Sequence, residues 1–191
     1  YAMAARESFV TSGTRIKVRF FAGADLPGQP AGPRALVEQG YKSGVPMGGT
    51  IQGAAKSPTF TVWASKDPEG ANLDRIQIIK GWVDAKGEPQ DKVFDVAWSG
   101  DRKPGGNGKL PAVGNTVDLK AATYTNAIGS VELMGTWTDR EFDSQQHAIY
   151  YVRVLEIPTP RFTTYDAVRN NLPLLEDAPA TIQERAWSSP I

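Results

Sequence analysis

The chain has 191 residues, a single histidine and no cysteine, and its 21 basic side chains (Lys and Arg) balance 21 acidic ones (Asp and Glu). This composition excludes disulfides, zinc–thiolate sites and thiol nucleophiles, and the zero net charge excludes a global field that would attract nucleic acid. No apolar run in the sequence approaches the roughly 20 residues that a membrane-spanning helix needs, so one ordinary domain with a sizeable core is expected.

The opening segment, residues 1–8, lacks the charged and then apolar layout of a signal peptide. Its composition is typical of the last turns of a helix. A chain that opens inside a helix is expected to be part of a longer protein.

Six segments have the periodicity of β-strands. Residues 15–22 alternate most clearly between apolar and polar side chains. One face of this strand is predicted to carry Ile16, Val18, Phe20 and Ala22, and the other Arg15, Lys17, Arg19 and Phe21. The remaining five segments share a high density of β-branched and aromatic residues; they are 59–64, 75–84, 93–98, 131–138 and 148–157.

Helix signals are few and short. We predict helices in the opening segment, at residues 33–39 with Gly40 as a stop, and at residues 164–170 behind a Thr163 cap. Because a parallel sheet would need a crossover helix between strands, so little helix favours antiparallel pairing. The sequence therefore predicts a mainly β fold, an antiparallel β-sandwich with a few short helices.

No catalytic residue can be assigned from the sequence. His147 is the only histidine, so a metal centre with several histidine ligands cannot be assembled from this chain. The Gly-x-Ser-x-Gly pattern of a nucleophile elbow does not occur either. We interpret His147 as a side chain at the edge of the strand that begins at Ala148.

Two acidic clusters have the composition of calcium-binding loops, which present several oxygen ligands within a short turn. The first cluster contains Asp67, Glu69, Asn72 and Asp74, and the second contains Asp139, Glu141 and Asp143. Neither cluster has the EF-hand spacing. The favoured interpretation is a solvated turn whose side chains cap local amides, and weak calcium sites are the alternative.

Three other features could serve binding or structure. Five tryptophans could stack on sugars or fill the core, and Trp63 is the one to test for exposure. The basic face of Arg15, Lys17 and Arg19 could hold an anion, although a solvated strand face is the ordinary pattern. The glycine- and lysine-rich residues 103–109 lack the following helix that a phosphate-binding loop requires, which favours a hairpin loop.

Motifs along most of the chain resemble an uncharacterised bacterial family. The two most specific are FVTSGTRIKVRFF at residues 9–21 and GVPMGG at residues 44–49. Further matches lie at residues 71–77, 80–82, 95–100, 113–118, 122–126, 150–161 and 182–191. The resemblance covers nearly the whole chain.

Full-length members of that family resemble metal-dependent phosphoesterases of the polymerase-and-histidinol-phosphatase (PHP) type, in which His, Asp and Glu ligands hold divalent metals that activate water. Those ligands would lie upstream of this region. The resemblance implies that residues 1–12 are the remnant of the last helix of a catalytic domain and that residues 13–191 form a β-rich C-terminal domain. The residues nearest the junction would be Thr11, Ser12, Gly13 and Arg15.

These interpretations predict a noncatalytic C-terminal domain that supports or completes the site of an upstream metal-dependent hydrolase. The chain itself would need no cofactor, because the divalent metal belongs to the upstream domain. That domain is the expected partner, nucleic acid is not, and a homo-oligomer is left open, as is the choice between bacterial cytoplasm and periplasm. The alternatives are a carbohydrate- or calcium-binding β-sandwich module and a structural interface domain.

Overall fold

The structure, a computed structural model, describes residues 1–53 and 56–191. In chain order its elements are β1 (Phe9–Thr11), β2 (Lys17–Gly23), α1 (Pro33–Ser43), β3 (Val45–Pro46), β4 (Thr59–Ser65), β5 (Leu73–Val83), β6 (Pro89–Trp98), β7 (Glu132–Thr138), β8 (Ala148–Glu156), β9 (Thr159–Pro160), α2 (Phe162–Arg169), β10 (Thr181–Ile182) and β11 (Arg185–Ser188). Each of the six predicted strands coincides with one of these elements.

Two antiparallel sheets form the body of the molecule. One has five strands in the order β1-β11-β8-β5-β6, and the other has four in the order β3-β2-β4-β7. A two-stranded sheet, β10-β9, adds to one end. The prediction of a mainly β fold with antiparallel sheets is therefore confirmed. No helix in the described ranges has the length and apolar character needed to cross a membrane.

The main core lies between the two large sheets. The β2 side chains predicted to share a face are all buried there. They meet buried side chains of the other sheet, including Ile76 and Ile78 on β5 and Val152 and Val154 on β8. Burial of alternate side chains from both sheets is what stabilises a sandwich of this kind.

A second, smaller core lies on the outer side of β2. Phe21, which the alternation places on the polar face of that strand, is buried because α1 covers it with Leu36. The helix extends to Ser43, so the prediction that Gly40 stops it is wrong. Gly40 lies inside the helix because only a residue without a side chain fits there: a Cβ atom would lie 2.4 Å from the Phe21 ring.

The second helix begins earlier than predicted. Its N-cap residue is Arg161, with no side-chain cap, and Thr163 lies within the helix, so the predicted Thr163 cap is wrong. The hydroxyl of Thr164 instead donates to the backbone carbonyl of Ala180 at 2.7 Å. This bond ties α2 to the segment that leads into β10.

The opening segment forms hydrogen-bonded turns, so the helix predicted there is wrong. The backbone amide of Glu7 donates to the carbonyl of Ala2 at 2.9 Å, and the positive φ of Arg6, 58°, interrupts any helical continuation. Residues Phe9–Thr11 then form the edge strand β1, which pairs with β11. These three residues belong to the five-stranded sheet, and the assignment of residues 1–12 to a preceding domain stays a prediction.

We expect Gly40→Ala to destabilise the protein by about 1–3 kcal/mol, because the added methyl group overpacks against the Phe21 ring. The higher helix propensity of alanine alone would stabilise the protein by about 1 kcal/mol. A destabilised variant therefore indicates that the contact with the Phe21 ring outweighs helix propensity. Urea denaturation measures it. Gly28→Ala is the matched control, since a Cβ at Gly28 meets nothing within 4 Å, and a Gly40→Ala protein as stable as the parent would contradict the contact.

Candidate functional site

Four acidic side chains are buried in the described part of the chain: Asp67, Asp74, Asp139 and Glu156. A buried carboxylate is costly unless cations or hydrogen-bond donors compensate it. The four differ sharply in how far this compensation goes, and the difference locates the candidate site.

Asp139 is fully compensated. It accepts hydrogen bonds of 2.7 Å from the Lys80 ammonium and 2.7 Å from the Tyr150 hydroxyl, and one of 2.9 Å from the backbone amide of Glu141. Burial alone would raise the pKa of Asp139, but the bonds from Lys80 and Tyr150 outweigh it and the pKa is lowered. The rest of the second acidic cluster does not converge on Asp139: the Glu141 carboxylate binds Lys92, and Asp143 is exposed and caps a local amide.

Asp74 is compensated as well. It accepts hydrogen bonds from Arg102 at 2.7 Å, Arg75 at 3.1 Å and the side-chain amide of Gln183 at 2.9 Å. The neighbouring Asn72 donates to two backbone carbonyls of residues 126 and 128. Half of the first acidic cluster is thus committed to holding loops together.

Asp67 and Glu69, the other half of that cluster, are joined by Arg15. Asp67 accepts from the backbone amide of Arg15 at 2.9 Å and from its guanidinium at 3.1 Å, and Glu69 accepts from the same guanidinium at 3.1 Å. The side-chain and backbone hydrogen bonds from Arg15 lower the pKa of Asp67 to about 2. Within the described ranges, no group of three or more Asp, Glu or His side chains is placed to hold a metal ion, so the calcium interpretation gains no geometric support and stays a prediction.

Glu156 is the exception. It is fully buried, yet neither carboxyl oxygen has a hydrogen-bond partner among the described residues. Burial raises its pKa to about 7; the Thr14 hydroxyl and the Lys66 ammonium oppose this rise, and the charges of Glu184 and Asp67 reinforce it. The buried hydroxyl of Thr14 also lacks a bond of normal geometry. Two polar groups that face each other are therefore left unsatisfied at one point in the fold.

A cavity of about 320 Å³ opens beside these two groups. Its rim is exposed at Gly13, Glu69 and Phe162, and its floor is buried at Ala71 and Glu156. The thirteen described residues that line it include four acidic and no basic ones: they are Gly13, Thr14, Asp67, Glu69, Gly70, Ala71, Tyr124, Glu156, Thr159, Pro160, Phe162, Tyr165 and Glu184. We call it the Glu156 cavity.

Three of the four residues predicted to lie at a domain junction line the Glu156 cavity or bind its lining residues. Gly13 lines it, Arg15 holds two of its carboxylates, and the Ser12 hydroxyl donates to the Glu184 carboxylate. Thr11 lies just outside, paired with Ala186 in the sheet. The structure thus brings together two sets that the sequence suggested separately, the junction residues and the acids Asp67 and Glu69; whether they contact another domain stays a prediction.

Most of the cavity lining was not predicted from the sequence, including Thr14, Tyr124, Glu156, Tyr165 and Glu184. Burial raises the pKa of both tyrosines, as expected for phenols in the wall of a cavity. A signal for Glu156 does exist in the sequence. The alternation of β8 buries Tyr150, Val152 and Val154, and Glu156 is the next residue in that register.

The other sequence candidates lie elsewhere. His147 is exposed and lines a different cavity, near the end of β8 that lies opposite Glu156.

All five tryptophans lie in the described ranges and all are half-buried. Trp63 packs beside the small α1 core, and Trp137 contacts Phe60, Phe94 and Tyr150. This packing favours a core role over an exposed stacking platform for sugars.

The comparisons with known proteins identify a family and add no chemistry. Residues 1–191 match the model of the family described as "Protein of unknown function (DUF3604)". The chain belongs to this family. No curated protein and no solved structure matches the chain. For this DUF3604 domain, the Glu156 cavity is therefore the feature from which a function has to be argued.

Glu156→Gln is expected to remove a pH dependence of stability. The folded state raises the pKa of Glu156 from 4.5 to about 7, so between these two pH values the folded chain keeps a proton that the unfolded chain loses. Folding stability is therefore fully present below pH 4.5 and falls as the pH rises from 4.5 to about 7. The expected loss is roughly 3 kcal/mol across this window.

Urea denaturation at pH 5 and pH 8 measures the effect as the difference between parent and variant. The exposed Glu132→Gln is the control, and it should retain the slope of the parent. Asp67, with its pKa lowered to about 2, titrates outside this window. An unchanged slope in Glu156→Gln would show that this carboxyl is not buried in its charged form.

Lys80→Met is expected to destabilise the protein by about 3–5 kcal/mol, since it leaves Asp139 buried without its cation. The double variant Lys80→Met, Asp139→Asn should recover part of this loss. Arg34→Met, which removes the exposed ion pair with Glu38, is the control and should cost less than about 1 kcal/mol. Equal effects of Lys80→Met and Arg34→Met in thermal or urea denaturation would contradict the buried pair.

Proposed function

We propose that this chain is a noncatalytic β-sandwich domain that supports or completes the site of a metal-dependent hydrolase domain, of the phosphoesterase type, in a longer protein. The observation that carries the proposal is the unsatisfied pair Glu156 and Thr14, which lies beside Ser12, Gly13 and Arg15 at one end of the sandwich. A cavity lined by polar groups without partners has the character of one part of a site.

Buried polar atoms in native proteins nearly always have partners, and each one left without a partner costs about 1–3 kcal/mol or more if charged. An incoming surface or ligand that supplies donors to Glu156 and Thr14 would recover this cost. The missing hydrogen bonds of Glu156 and Thr14 therefore favour a domain that acts in contact with a partner surface or a ligand.

The chain does not fit the metal itself. A hydrolytic metal cluster needs several converging carboxylate and imidazole ligands, whereas no group of three or more such side chains among the described residues is placed to hold a metal ion. The solitary His147 lies far along β8 from Glu156, at the strand's other end. We therefore derive no catalytic step through a metal on this chain, and the metal would belong to the other domain.

The segment that would meet that domain is held firmly. β1 is fixed by its pairing with β11, the Ser12 hydroxyl accepts from the backbone amide of Arg185 at 2.9 Å, and Arg15 is fixed through Asp67. A rigid support of this kind is what positioning residues around an active site require. Arg15 would act as a positioning residue through the carboxylates it holds.

We expect the 191-residue chain to show no turnover of a p-nitrophenyl phosphoester with Mn²⁺, Mg²⁺ or Zn²⁺, and the longer protein to hydrolyse it. In the longer protein, Arg15→Met should lower kcat/KM by about 10- to 100-fold, the usual effect of losing a supporting contact around a metal site. Steady-state kinetics with thermal melting as a folding check measure both effects.

Arg15→Lys, which keeps the charge, should restore part of the activity, and Arg34→Met on α1 should leave it unchanged. Two results would overturn the proposal. One is metal-dependent turnover by the 191-residue chain that a chelator abolishes, and the other is full activity of the longer protein carrying Arg15→Met.

A further inference from the structure

The floor of the Glu156 cavity holds one carboxyl group whose two oxygens are buried and have no hydrogen-bond partner among the described residues. Glu156 projects from the inner face of β8 and is fully buried. It points towards the cavity, because a Cβ built on the lining residue Gly70 would lie 3.5 Å from Glu156 Oε1. The nearby Thr14 hydroxyl is likewise buried and unpartnered in the described structure.

The charges around the cavity favour a cation. Its described lining carries four carboxyl groups and no ammonium or guanidinium group. The cations close to the lining make contacts within the chain: Arg15 binds Asp67 and Glu69, and the Lys66 ammonium donates to three backbone carbonyls, at 2.7 to 3.2 Å. The guanidinium groups of Arg161 and Arg169 lie over the rings of Phe162 and Tyr165. An anion would be repelled by Glu156 and Glu184, whereas a cation would meet an unpaired carboxylate at Glu156.

The walls favour an organic cation over a bare metal ion. Tyr124, Tyr165 and Phe162 supply aromatic surface, and Pro160 supplies an aliphatic face. Aromatic rings attract ammonium and guanidinium groups and also pack against methylene chains. A metal ion would instead need further oxygen ligands close to Glu156, and the described carboxylates do not converge to supply them.

We propose that the Glu156 cavity binds an organic cation through a primary ammonium or guanidinium group whose N–H donors satisfy Glu156 and Thr14. The apolar part of the ligand lies against Tyr124 and Tyr165. The volume, about 320 Å³, accommodates a ligand the size of a long side chain. The same chemistry can come from a free amine or from a lysine or arginine side chain of a neighbouring domain.

Isothermal titration of the 191-residue chain with agmatine and n-butylammonium tests the proposal. We expect saturable one-to-one binding in the millimolar range or tighter, at least tenfold tighter than binding of tetramethylammonium, which has the same charge and no N–H donor. N-acetyl-lysine methylamide and N-acetyl-arginine methylamide form the second arm. Binding by the free amines alone identifies a small-molecule ligand, and binding by the capped residues identifies a protein side chain.

Glu156→Gln should weaken binding at least tenfold, and Tyr124→Leu should weaken it several-fold without removing the carboxyl group. Glu132→Gln, on the exposed part of β7, is the matched control. The proposal is overturned by absent or non-saturating binding of every amine, by equal affinity for tetramethylammonium, or by amine binding that Glu156→Gln leaves unchanged. Binding of Mg²⁺ or Ca²⁺ that displaces the amines and depends on Glu156 also overturns it.

The inference rests on the proposed function only in that both use the same end of the sandwich. The two can fail separately. The titration needs no hydrolase activity, so an inactive longer protein leaves amine binding intact. A failed titration, in turn, leaves the kinetic effect of Arg15→Met to be decided by its own experiment.

Discussion

Alternate burial along β8 is the constraint on which both the fold and the candidate site depend. Packing of the two sheets requires Tyr150, Val152 and Val154 to face the core, and the two-residue period of a strand then carries Glu156 to the same side. The carboxyl group is desolvated because the alternating burial of β8 continues to its last residue, Glu156, not because any local motif selects it. The raised pKa of Glu156 and the adjoining cavity both follow from this register.

The residues across the sheet explain why Glu156 differs from the other buried acids. On β5, Lys80 lies directly opposite Tyr150, so an ammonium group reaches Asp139 at that end of the sandwich. At the other end the residue opposite Glu156 is Leu73, whose side chain has no hydrogen-bond donor. The cations nearby serve Asp74 and Asp67 instead. One end of the sandwich is therefore closed by a buried ion pair, whereas the other is left electrostatically incomplete.

Membership of the DUF3604 family assigns no activity to the chain. Its function is therefore inferred from this electrostatically incomplete end of the sandwich. Segment 12–15 lies at the same end as the unsatisfied carboxyl group, and its bonds to Glu184, Arg185 and Asp67 keep it rigid. A rigid rim around an acidic, aromatic-walled cavity suits recognition more than catalysis. An accessory role beside a hydrolase and the capture of a cationic group are both consistent with that geometry.

The sequence by itself determined what is local. The alternation in β2 and the β-branched and aromatic density of the other segments, β8 included, predicted the strands, and the shortage of helix predicted antiparallel sheets. It could not determine that α1 continues through Gly40, because that depends on contact with Phe21, nor that residues 9–11 form a strand with β11 from the far end of the chain. The register of β8 made Glu156 visible as a carboxylate in a core position. Only the tertiary structure decided that it has no partner among the described residues. Leu73, rather than a cation, lies opposite Glu156, and burial and charge pairing are set by residues distant in sequence.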